Sequence, residues 1–178
     1  MLKPAKKTVL RGRCGFPDGK VNVAEILDLE GTLDKLGRFG PIRRVILATP
    51  GTLQGALTAY FGSPVDVEVQ LQDGSEDETH FAREVDLVCR KRRLVVCRAR
   101  TDVVVEDEAV RSMLVEQKVG LGQIVELLRI PATFDLEEVG KDSEFFWRTY
   151  ELRGAGFCYH VEEKFPSALY PEREVLGS

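Results

Sequence analysis

The residues best placed to do chemistry are charged groups on apolar strand faces. Arg83 opens the run Arg83-Glu84-Val85-Asp86-Leu87-Val88-Cys89. Alternate side chains of a strand share a face, so Arg83 falls with Val85, Leu87 and Cys89. A second β-rich run, Leu94 to Thr101, follows four consecutive cations, Arg90 to Arg93, and the whole reads as a hairpin. By the same alternation Arg98 and Arg100 follow Leu94 and Val96. Near the other end of the chain, Glu163 shares a face with Phe157, Tyr159, Val161 and Phe165, while Glu162 falls with His160 and Lys164. A guanidinium on a buried face is costly unless something negative meets it. That partner is either an internal carboxylate or an anionic ligand, and a salt bridge to an arginine is the plain structural role for Glu163.

The elements that must position these residues read as one α+β domain. Residues 1–22 form an N-terminal arm with a short strand at Thr8–Leu10, 23–170 the folded domain, and 171–178 a polar tail. Apolar residues from Ile26 to Leu36 give helical segments broken at Gly31. Arg44-Val45-Ile46-Leu47 reads as a short extended run. Leu53, Ala56, Leu57, Tyr60 and Phe61 make the stripe of an amphipathic helix that Gly62 caps and Pro64 ends. Val65 to Leu71 alternates cleanly as a strand, and 73–79 is an acidic loop. Asp107 caps a helix over 108–117 with Val110, Met113 and Leu114 inward. Gly120-Leu121-Gly122 interrupts it before a second helix carrying Ile124, Val125 and Leu128. Strands follow at about 132–139, 145–153 and 157–165, the last two joined by Gly154-Ala155-Gly156. Hairpin-linked strands predict an antiparallel sheet with helices on one side.

Composition narrows the function. Charged residues are 30% of the chain and the net charge is −4, which argues against general nucleic-acid binding. No apolar run reaches the ~18 residues of a membrane span, and no secretory signal is evident; a cytoplasmic protein is expected. Cys14, Cys89, Cys97 and Cys158 lack C-x-x-C spacing, so they are expected as reduced, small apolar groups rather than metal ligands. Cys89 and Cys97 bracket the hairpin turn and are candidates to face each other. His80 is expected as a surface residue. No dinucleotide fingerprint, P-loop, zinc-protease or serine-elbow motif occurs.

These residues resemble the chorismate lyases, which cut chorismate into 4-hydroxybenzoate and pyruvate. The likeness runs roughly from Leu33 to Tyr170 and rests on four places. They are Arg44 to Leu53 followed by Val65 to Gln72; Arg83-Glu84 with Arg98 fifteen residues on; Gly120-Leu121-Gly122 opening a helix; and Val161-Glu162-Glu163-Lys164-Phe165-Pro166. The resemblance implies a highly twisted antiparallel sheet with helical flaps over a buried ligand pocket. It makes Arg83 the residue that binds the substrate carboxylate, Arg98 or Arg100 the second pocket arginine, and Gly122 a ligand neighbour. It makes Glu163, with Glu162 as the competing position, the essential glutamate.

The chemistry so implied needs no cofactor and no metal. Chorismate is a dianion, and each carboxylate can meet a guanidinium in bidentate geometry. Breaking the ether C–O bond and losing a ring proton ends in an aromatic product. The protein must hold one conformer, exclude water and manage a proton. Glu163 is expected to handle that proton or to orient the hydroxyl-bearing end of the ring. The same fold also suits a non-catalytic sensor of aromatic acids, or an enzyme making another hydroxybenzoate isomer. The partner is in each case a small molecule; oligomeric state is left open.

Overall fold

Six runs of alternating side chains become six strands: β1 (Val65–Asp73), β2 (His80–Cys89), β3 (Leu94–Val105), β4 (Ala132–Lys141), β5 (Phe145–Gly154) and β6 (Phe157–Pro166). In the computed structural model, which describes residues 34–50, 53–73, 79–116 and 120–172, they form one antiparallel sheet. The order is β1-β2-β3-β6-β5-β4. The sheet is thus two meanders, β1-β2-β3 and β4-β5-β6, joined where β3 lies beside β6. Every pairing along it is antiparallel. The expected α+β class is what the structure has.

The connection between the meanders carries two helices, α3 (Glu108–Glu116) and α4 (Leu121–Leu127), and two more precede β1: α1 (Pro41–Ala48) and α2 (Leu53–Phe61). Leu47, Leu57, Leu114 and Ile124 from these four join strand residues such as Val103 and Tyr159 in one buried cluster. The Asp107 carboxylate accepts from the backbone N–H of Val110 at 3.0 Å, the expected cap of α3. Gly62 ends α2 with φ +57°, a conformation that costs other residues more.

One element departs from the sequence reading. Residues 44–47 are not extended but lie in α1. Pro41 sits at its start, where a missing N–H costs nothing. Arg43, Ile46 and Leu47 are its buried residues, spaced as one helical stripe. Four residues are too few to separate that period from a strand.

The readings for residues 1–33, including the arm, Thr8–Leu10 and Cys14, lie outside the described residues. So does most of the 73–79 loop, although Asp73 itself ends β1. Asp34 to Leu36 are helical, the end of the expected 23–36 segment. Among the described residues no helix is long and apolar enough to cross a membrane.

Candidate functional site

Strand register decides which side chains meet. Arg83 on β2 pairs with Thr101 on β3, Thr101 with Val161 on β6, and Val161 with Tyr150 on β5. The adjoining row runs Val85, Ala99, Glu163, Arg148. All eight residues project from the same face. With strands ~4.8 Å apart and ~3.4 Å per residue, the Cα atoms of Arg83 and Glu163 are about 12 Å apart. That leaves room for a small molecule between two long side chains.

A cavity of about 60 Å³ lies over these rows. Its floor is Arg83, Val85, Leu87, Ala99, Thr101, Tyr150, Val161 and Glu163, and its wall is Leu53 and Gln54 of α2 with Gly120 to Gln123 at the start of α4. Most of that lining is apolar, as small-molecule sites are.

Arg83 is 2% exposed. Its Nε and Nη2 have no hydrogen-bond partner among the described residues. Burial pulls its pKa below the ordinary arginine value, with Tyr159 acting weakly the other way. A guanidinium remains charged even so. Glu163, 5% exposed, is already engaged. Its Oε2 accepts from Arg148 Nε at 2.7 Å and its Oε1 from the Tyr150 hydroxyl at 3.1 Å. Arg148 is wholly buried. Its Nη1 also donates to the carbonyls of Ile46, Leu47 and Thr49 at 3.0, 2.9 and 2.7 Å. Those carbonyls close the C-terminal turn of α1, where acceptors are left over and a cation is favoured. Burial opposes charge on Arg148, but Glu163, Tyr150 and Cys97 together outweigh it and the pKa rises. Burial and the same carboxylate push the Tyr150 hydroxyl well up, so it stays a donor.

The structure thus places Arg83, Glu163 and Gly122 around one cavity. It does not bring Arg98 or Arg100 there, and the expectation that either lines the pocket is corrected. Both are exposed. Arg98, its side chain 67% exposed, lies 3.5 Å from Asp86. The cause is a bulge: Leu87 pairs with Cys97 but Val88 with Val95, leaving Val96 unpaired. One extra residue reverses the facing of everything beyond it. Cys97, Ala99 and Thr101 take the inner face. Glu162 points away too, paired with Lys164 at 2.6 Å.

Arg148, Tyr150, Thr101 and Gln54 were missed. The first had a signal, since Phe146, Arg148, Tyr150 and Leu152 alternate along β5 just as the Arg83 face does along β2. Gln54 had none. Cys97 opposes Leu87, not Cys89, and both thiols are buried and outside any disulfide. Burial raises the Cys97 pKa well above its usual value, so the thiol is unreactive. His80 is exposed, held by Thr79 at 2.9 Å. Among the described residues no cluster of metal-ligating side chains occurs.

No protein-family model and no curated protein matches the chain.

Proposed function

We propose that this chain is a chorismate pyruvate-lyase, a cofactor-independent enzyme that releases pyruvate and 4-hydroxybenzoate. One observation carries the reading: a buried guanidinium with two unengaged nitrogens faces an apolar cavity that also holds a carboxylate. Such an arrangement is complementary to an aromatic or ring-bearing acid. The ring carboxylate of chorismate meets Arg83, and water exclusion by the apolar lining strengthens that contact. The ether oxygen leaves with its electron pair as the enolate of pyruvate. The ring carbon bearing the hydroxyl loses its proton, the enol methylene gains one, and the ring becomes aromatic. No electrons enter or leave overall. Glu163, anchored by Arg148 and Tyr150, is the carboxylate in the cavity lining and takes that ring proton. Helix α2 and the start of α4, which wall the cavity, serve as the cover.

The test is direct. Chorismate incubated with micromolar protein yields equimolar pyruvate and 4-hydroxybenzoate, read by a coupled pyruvate assay and by chromatography. Another hydroxybenzoate in the chromatogram reassigns the product. A second reading is favoured by one feature: both Glu163 oxygens already accept hydrogen bonds, as suits a fixed anion more than a proton carrier. On that reading the domain binds aromatic acids without turnover, and the assay gives tight 4-hydroxybenzoate binding with no pyruvate.

A further inference from the structure

The cavity wall contains a second unmet polar atom, of opposite kind to those on Arg83. Gln54 of α2 donates from Nε2 to the Val65 carbonyl at 2.5 Å. A carbonyl only accepts, so the amide NH₂ must face it and the amide oxygen must face the other way. That oxygen, Oε1, is buried and has no partner among the described residues. It lies beside the start of α4, where a Cβ on Gly120 would come within 3.8 Å of it. Gln54 is therefore not free to turn. It presents an acceptor to the cavity as a built feature of the α2–β1 junction. Its anchor, Val65, pairs with Cys89, six positions along β2 from Arg83.

We propose that Gln54 is a specificity residue whose Oε1 accepts a hydrogen bond from a hydroxyl or amino group on the bound acid. Arg83 demands acceptors and Gln54 demands a donor. The ligand class that meets both is an aromatic acid substituted with O–H or N–H at the end remote from its carboxylate. Unsubstituted benzoate satisfies Arg83 and leaves a buried acceptor bare. Sites built around such a contact reject analogues that lack it far more strongly than apolar pockets reject a change of size. This inference rests on the reading that the cavity holds an aromatic acid, and not on turnover.

The experiment is calorimetric titration of the full chain with benzoate, 4-fluorobenzoate, 4-hydroxybenzoate and 4-aminobenzoate. Wild type is expected to prefer the hydroxy and amino acids over benzoate by at least tenfold, with 4-fluorobenzoate ranking beside benzoate. Gln54→Met is expected to bring that ratio within twofold. The fluoro comparison needs no variant, so poor folding of Gln54→Met leaves the proposal exposed to refutation. A wild type without the preference, or binding none of these acids, overturns it. A ratio that survives Gln54→Met overturns it too, and collapse in Glu163→Gln alone hands the hydroxyl to Glu163. Absence of pyruvate release with the ratio intact removes the lyase reading and keeps this one.

Discussion

Two arginines on the inner face of one sheet have opposite fates. Arg83 on β2 and Arg148 on β5 are both buried. Both meet the same penalty for removing a cation from water. Arg148 is met by the Glu163 carboxylate, by three carbonyls of α1 and by the faces of Tyr150 and Phe134 at 4.7 and 5.5 Å. Its pKa goes up. Arg83 has no carboxylate partner among the described residues, and its pKa goes down. A buried charge is thus no sign of a ligand site by itself. The sign is a buried charge that the fold leaves unanswered, within reach of a cavity.

The contrast breaks first, if it breaks, at Arg148. Arg148→Met strands the Glu163 carboxylate and three carbonyls, and a severed buried pair costs about 3–5 kcal/mol. For a chain of this size that is a melting temperature lower by roughly 10 °C. Adding Glu163→Leu is expected to restore much of the loss, which a double-mutant cycle measures. A single-variant loss below about 1 kcal/mol would make Arg148 no different in kind from an exposed arginine.

Arg83 predicts the reverse pattern. Arg83→Met removes a buried cation that has no partner among the described residues, so stability is expected to hold or to rise by about 1 kcal/mol. Affinity for 4-hydroxybenzoate is expected to fall by about 100-fold, or ~3 kcal/mol, on titration. An Arg83→Met chain that unfolds, or that binds as wild type does, removes the distinction.

How much of this was legible in the sequence follows from what sets each feature. The strands were legible because period-two alternation is local, and β1, β5 and β6 came out close to their observed ends. Arg83 and Glu163 were legible because each lies on a long, unbroken alternation. Arg98 and Arg100 were misread because the Val96 bulge has no local mark; the bulge is a property of two strands in register. Arg148 was missed although its strand alternates, because its role is set by the glutamate opposite it, and that pairing belongs to the register of β5 with β6. Gln54 is a polar residue beside a helical stripe, and only the three-dimensional placement of Val65 shows its oxygen to be stranded.

The bulge that turns Arg98 outward has its own brace. Tyr170 is buried, and its hydroxyl donates to the Val96 carbonyl at 2.7 Å. Burial raises its pKa, so it donates throughout the ordinary pH range. Tyr170→Phe leaves that carbonyl unmet and is expected to cost about 1–2 kcal/mol, measured by denaturant unfolding. Ligand affinity at Arg83 is expected to hold, because the β3 stretch opposite Arg83 is held in register by β6 as well. A drop in affinity larger than the drop in stability would show that the brace serves the cavity directly.

The smallest effect lies at a third arginine, which stands between the two extremes. Arg43 is buried, yet it is answered mainly by backbone: Nε donates to the Tyr170 carbonyl at 2.9 Å and Nη2 to that of Ser167 at 3.2 Å. Its one carboxylate, Glu172, is 2.8 Å away with a side chain 40% exposed, and it also holds Lys141 at 2.8 Å. The Lys141 hydrogen bond, with smaller help from Arg43, lowers the Glu172 pKa below its usual 4.5. A carboxyl more acidic when folded stabilises the fold above its unfolded pKa and loses that effect as pH falls through the lower, folded value. Solvent screening limits the effect to less than about 1 kcal/mol. Glu172→Gln is therefore expected to be slightly less stable at pH 7, with the gap to wild type closing below about pH 4.5 in paired thermal melts. A gap that persists at pH 3 would mean the side chain holds Arg43 by shape, and a gap as large as that of Arg148→Met would mean that backbone carbonyls cannot answer a buried guanidinium. In that case Arg83 would need more than one anionic group to satisfy it, and the ligand would have to bring both.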